Sequence, residues 1–170
     1  MLERVRKERI LILAKTYPSP SFQYVETSCV AGISSNGEMR RLFPVPFRLI
    51  EHGQQFSKWQ WIDVRVEKAR KDHRPESHRL FVDTISCGER IDTRKEWLAR
   101  WAWLEKIPTF DSFDEMDACR VDTGISLGLL RPGKVRLEIR PARSQTWSAD
   151  ELAKLMRPEQ GSLFDEAEAR

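Results

Sequence analysis

His73 and His78 stand with Asp72 and Glu76 in one short segment, Asp72-His73-Arg74-Pro75-Glu76-Ser77-His78, and these groups are competent to ligate a metal. A five-residue separation broken by Pro75 does not bring two imidazoles onto one helical face, so a solvated loop is the expected reading. The run Asp63-Val64-Arg65-Val66-Glu67-Lys68 carries the residue types of a metal-dependent nuclease strand. Its spacing is off by one, because Glu67 and Lys68 are neighbours and point to opposite faces of a strand, and no obvious further acid for two-metal chemistry accompanies them. Cys29, Cys87 and Cys119 show neither a CxxC spacing nor a histidine partner, which removes zinc and thiolate chemistry. No GxGxxG, phosphate-loop or GxSxG motif occurs. The residues thus assign no catalytic group, no metal and no cofactor, and a nuclease survives only as a weak reading.

Recognition chemistry is better represented. In residues 58–67, period-two alternation places Ile62, Val64 and Val66 on one face and Trp59, Trp61, Asp63, Arg65 and Glu67 on the other. If the aliphatic face is core, the two indoles and Arg65 point outward, where rings stack on bases and guanidinium groups neutralise phosphates. Arg40, Arg41, Lys58, Lys68, Arg70 and Lys71 are near in sequence and extend the candidate nucleic-acid surface. The competing reading packs both tryptophans under a helix spanning residues 94–106 and leaves the cations to solvate the rim. Lys15 and Tyr17, with Tyr24, border the Pro/Ser stretch 17–21, a stiff loop suited either to gripping a ligand or simply to steering the chain.

The elements that must position these residues follow from the same patterning. Residues 9–15 read as a buried first strand. Residues 26–34 and 38–45 flank Ser35-Asn36-Gly37, and Asn-Gly predicts a tight hairpin because both residues tolerate positive φ. Residues 47–52 allow one or two helical turns, and residues 80–85 read as a further strand. Thr93-Arg94-Lys95-Glu96 has capping-box spacing, with Trp97, Trp101 and Leu104 on one face of a helix ended by Pro108. The same box at 112–115 and 148–151 predicts helices over 113–120 and 149–156. Residues 134–140 alternate, with Val135, Leu137 and Ile139 expected inward in a last strand. The order predicts an α+β domain, a small mixed or antiparallel β-barrel or half-barrel with three or four short helices packed on it.

Composition sets the outer bounds. At 170 residues, 40% hydrophobic and 32% charged, the chain fits one folded domain over 1–157, followed by an acidic tail at 158–170. The apolar run 10–14 is too short for a membrane span or a signal-peptide core, which places the chain in the cytoplasm as an expectation. Residues 1–79 hold 15 Lys/Arg against 9 Asp/Glu, whereas residues 150–170 hold 3 against 6. That asymmetry hints at a polyanion-facing first half. In the tail, Gln160-Gly161-Ser162-Leu163-Phe164 resembles the short Gln-x-x-Leu-Phe peptide with which bacterial replication and repair proteins dock on the sliding clamp. That resemblance implies partner contacts by Gln160, Leu163 and Phe164.

The blocks Ala14-Lys15-Thr16-Tyr17-Pro18-Ser19-Pro20-Ser21, Cys29-Val30-Ala31-Gly32-Ile33, Arg41-Leu42-Phe43-Pro44-Val45-Pro46-Phe47, Gln55-Phe56-Ser57-Lys58-Trp59-Gln60-Trp61-Ile62 and Ser126-Leu127-Gly128-Leu129-Leu130-Arg131-Pro132 resemble a family of uncharacterised bacterial proteins. The resemblance covers most of residues 9–140 and lends no catalytic residue. At the level of fold alone the arrangement is similar to small nucleic-acid-reading barrels of the PUA-like and OB types. The leading expectation is a non-catalytic nucleic-acid-binding accessory protein of a DNA-processing or phage-defence complex. A protein–protein adaptor acting through the Trp-rich helix or the tail peptide is the alternative.

Overall fold

The computed structural model describes residues 5–21, 25–47, 50–141 and 148–155. Strand β1 (Val5–Lys15) is long enough to serve two neighbours, and that length closes the sheet. Its residues 5–11 pair antiparallel with β5 (Gln60–Lys68), while Ile10 and the residues after it pair antiparallel with β3 (Val25–Ser34). Between β3 and β4 (Met39–Val45) the expected hairpin forms, with Gly37 at φ +86° and its N–H donating to the Ser34 carbonyl. β4 lies parallel to β6 (Ser77–Leu80), and β6 returns antiparallel to β5. The cycle β1-β3-β4-β6-β5 therefore closes as a five-stranded barrel, with short β2 (Ser19–Ser21) on β3 and β7 (Ser86–Arg90) on β5.

Two cores follow from the two faces of the strands. Ile10, Ile12, Val30, Leu42, Ile62, Val64, Val66 and Leu80 fill the barrel interior, each at most 1% exposed. Five strands leave room only for side chains, so the interior is packed. Each such burial contributes on the order of 1.5–3 kcal/mol. The outward residues Leu11, Ile33 and Trp61 form a second core under Ile107, with Trp103 and Leu104 of α1 (Leu98–Leu104) packed against it.

Several sequence expectations are corrected. The helix expected over 94–106 is confined to Leu98–Leu104, because Lys95, Glu96 and Trp97 form a left-handed turn at φ 51°, 53° and 67° instead of a capping box. That turn brings Trp97 edge-on to Trp59 with the Arg100 guanidinium over both rings, at 4.7 and 4.9 Å, so tertiary stacking overrides the local cap. The strand expected at 80–85 is split: β6 ends at Leu80, a 3-10 turn occupies Val82–Thr84, and β7 follows. The Arg65 backbone N–H donates to Thr84 Oγ1 while its carbonyl accepts from Phe81, which pins this bend to β5. Residues 134–140 are not a strand, and Val135, Leu137 and Ile139 are 75–88% exposed. Alternation alone does not make a strand when the closed barrel has already paired its own strands on both sides.

At 112–115 the Ser112 half of the capping box forms, its Oγ accepting from the Glu115 N–H, while Glu115 Oε2 reaches one residue further back and accepts from the Asp111 N–H. It opens α2 (Phe113–Thr123). Two-residue strands β8 (Thr109–Phe110) and β9 (Leu129–Leu130) pair parallel, and α3 (Ala149–Leu155) contacts β2. Of the turns expected at 47–52, residues 48–49 fall outside the described set and a 3-10 turn occupies His52–Gln54. No helix among the described residues is long and apolar enough to cross a membrane.

Candidate nucleic-acid interface

The parity of β5 is as read from the sequence, but the outward face is not uniformly open. Trp61 is 6% exposed, edge-on to Trp103 at 4.8 Å, and Arg9 lies over its ring. Its indole is a roof beam of the second core and presents no stacking face to a ligand. Trp59, at φ +62°, is half-buried between Trp97 and Arg100. Both tryptophans thus support α1, and the aromatic part of the expected surface must come from elsewhere.

Several expected cations are structural. Arg40 is 5% exposed and donates to both Glu8 oxygens, at 2.8 and 3.1 Å, and to Glu38 at 2.5 Å. Arg6 donates to the same Glu8 and lies 3.4 Å from Nε2 of buried His78, whose Nδ1 is 2.9 Å from the Glu76 carbonyl. Burial works against a charged Glu8, but hydrogen bonds and charge from Arg40 and then Arg6 outweigh it and hold the carboxyl below its ordinary value. Lys68 ties down the 69–77 loop by donating to the carbonyls of Arg74 and Ser77, Arg70 pairs with Glu67, and Arg41 sits opposite Ser77 with Lys71 exposed nearby in sequence. Asp72, clamped by Arg74 and Ser77, is far below the usual carboxylate range.

Arg65 remains open, and the register gives it companions that the sequence alone could not. Lys7 of β1 is directly opposite Arg65 in the antiparallel ladder, and neither forms an ion pair with a described residue. Like charges facing one another across a ladder destabilise it, and no carboxylate among the described residues pairs with either of these two. The Arg65 guanidinium lies 5.4 Å from the centroid of Phe81, and Arg79 lies 5.7 Å from the same ring. The acids on this face are engaged or set against a cation: Glu67 by Arg70, and Asp63 opposite Arg9, which itself holds Glu89. Lys7, Arg79 and Phe81 escaped sequence reasoning because only strand register brings them beside Arg65.

Lys15, Tyr17 and Lys58 meet at the other end of the barrel, where β1 ends and β5 is about to begin. They line an open cavity of about 250 Å³ together with Thr16, Pro18, Ser28 and Phe47. Lys15 Nζ donates to the Phe56 carbonyl at 2.9 Å and sits 3.7 Å from the Phe47 centroid. Burial, and then the charge of Lys58, make Lys15 less basic than an ordinary lysine. Tyr24 lies outside the described residues, as do Gln160, Leu163 and Phe164 of the tail peptide.

Among the described residues no three His, Cys, Asp or Glu side chains converge as a metal site. His73 is exposed, whereas both ring nitrogens of His78 are occupied as described. Burial raises the Cys29 and Cys87 thiols, which makes them poor nucleophiles. Residues 6–106, which contain α1 and all of the barrel but Val5, match a family described as a domain of unknown function, DUF8758. No curated protein and no solved structure matches the chain.

Proposed function

We propose, for a chain that belongs to the DUF8758 family and takes no assigned chemistry from it, that the protein is a non-catalytic nucleic-acid-binding domain. The observation that carries this reading is the Lys7–Arg65 couple on the outer β1–β5 face, without an ion pair among the described residues and beside a phenylalanine ring flanked by two guanidinium groups. Such a surface neutralises adjacent phosphates through the cations, and the Phe81 ring supplies a base-sized apolar platform. The basic excess of residues 1–79 supports the same sign of partner.

The test is oligonucleotide binding by Lys7→Ala and Arg65→Ala variants against single- and double-stranded DNA and RNA over a salt series. Each variant is expected to weaken binding for every sequence and to reduce the log–log salt slope by about one for each phosphate left without its cation. Wild-type affinity and slope in a Lys7→Glu/Arg65→Glu double variant would remove this surface as the interface.

One observation favours an adaptor as the second reading. Trp97 and Trp101 are 44% and 52% exposed around α1, with Leu98 65% exposed beside them, and tryptophan is enriched in protein-binding hot spots. An adaptor binds with little salt dependence and loses its partner on Leu98→Glu. The nucleic-acid reading requires the opposite on both counts.

A further inference from the structure

We propose that the mouth of the barrel is a second, independent binding site, one that takes a single nucleotide: a planar base against Phe47 and Tyr17, with its phosphate between Lys15 and Lys58. The cavity, at about 250 Å³, lies below the roughly 300–1,000 Å³ of sites for drug-sized ligands. It therefore encloses only part of a nucleotide, and its open side leaves the rest at the rim. Phe47 is held edge-on by Phe56, with centroids 5.2 Å apart at 77°, and the Lys15 ammonium lies over one of its faces at 3.7 Å, so the wall is stiff and aromatic and a base meets the rest of the ring. Tyr17, 74% exposed at the rim, adds a second ring that nothing in the described chain covers.

Three polar features give the chemistry of the ligand. Ser28 lines the cavity at 2% exposure, and its Oγ is buried without a hydrogen-bond partner. A hydroxyl removed from water and left unpaired is costly, and the polar edge of a base offers it both a donor and an acceptor. Lys15 and Lys58 are close enough for one to depress the basicity of the other, and no carboxylate is among the residues lining the cavity. Two ammonium groups facing one small site match the double charge of a phosphate better than the single charge of an aromatic carboxylate. The Lys15 ammonium spends one hydrogen on the Phe56 carbonyl, which aims the group while leaving two to donate.

The same chemistry comes from a free mononucleotide or from one unstacked nucleotide of a single strand. Isothermal titration of the full chain with each of the four common ribonucleoside 5′-monophosphates, the matching nucleosides, inorganic phosphate and 4-hydroxybenzoate tests the site. Saturable binding of at least one monophosphate is expected, with nucleoside, phosphate or hydroxybenzoate on the order of tenfold weaker. Tyr17→Ala and Lys58→Ala, both at exposed positions, are each expected to weaken it about tenfold. Ser28→Ala should alter the ranking among the four bases, whereas Arg65→Ala on the outer face should leave mononucleotide binding unchanged. Competition by a single-stranded octanucleotide identifies a strand nucleotide as the ligand, and lack of competition identifies a free one. Absence of saturable binding for all four monophosphates and the octanucleotide, or unchanged binding in the Tyr17→Ala/Lys58→Ala double variant, overturns the proposal. Loss of oligonucleotide binding in Arg65→Ala with the mouth inert would sink this site alone.

Discussion

At the scale of the residue, Arg40 shows how a cation that looks like a ligand contact in sequence becomes a structural bolt. Glu8 and Arg40 are 10% and 6% exposed at the side chain, so removing the guanidinium strands a buried carboxylate. Arg40→Ala is expected to cost about 3–5 kcal/mol in urea unfolding, far more than the loss of a surface pair. His78 beside this network has its pKa lowered, chiefly by burial and further by the Arg40 charge. The unfolded chain therefore binds the extra proton first, and stability falls as pH drops through the unfolded histidine value of about 6.5 until the lowered folded value is passed. Glu8 acts at lower pH in the same direction, because its stabilisation is present above its unfolded value and lost as pH falls through the depressed folded one. Unfolding midpoints at pH 7.5 and 5.5 measure the histidine part, and a pH dependence unchanged in His78→Gln would show that His78 is not its source.

At the scale of the element, the barrel depends on close backbone approach. A Cβ on Gly32 would stand 2.6 Å from Ile10 Cγ2 and 2.8 Å from the Leu11 carbonyl oxygen, where β1 and β3 cross into closure. Gly32→Ala is expected to lower stability by several kcal/mol, of the order seen for overpacked or strained cores, and thermal unfolding reads it directly. The turn before α1 carries strain of the opposite kind. Glu96 is exposed at φ +53°, a left-handed conformation costing roughly 1–2 kcal/mol for a residue with a Cβ. Glu96→Gly should relieve much of that and raise the melting temperature, provided the Arg100 stack keeps the native turn. A lower melting temperature would mean that the Glu96 side chain, not the turn, is what matters there.

At the scale of the whole molecule, organisation weakens from the barrel outward. The closed strands hold the deepest burial, while residues 131–141 are exposed and without regular secondary structure. The segment before them is latched to the barrel: Glu76, 4% exposed, accepts from both the backbone N–H and the hydroxyl of Ser126. Limited proteolysis should cut first within 131–141 and spare a fragment that keeps the barrel and the Ser126 latch. Early cleavage between β5 and β7 would contradict this ranking of local stability. The juxtaposition of Lys7 and Arg65 is likewise a property of the assembled barrel, since the two are 58 positions apart in the chain and neighbours only across the β1–β5 pair.

By itself, the amino-acid order was enough for features ruled by local physics. The Asn36-Gly37 turn follows from tolerance of positive φ, the inward Ile62, Val64 and Val66 follow from two-residue alternation, and α2 follows from the Ser112–Glu115 box. Tertiary structure alone decided what lies against each outward face. Trp61 and Arg65 share that face by parity, yet Trp61 is covered by α1 and Arg65 is open, because coverage depends on where a distant segment returns. It also decided that residues 134–140 find no partner strand, that Phe81 rather than tryptophan accompanies Arg65, and that Ser28 joins Lys15 and Lys58 at the mouth. Register and closure are long-range pairings, and no window of sequence carries the information that sets them.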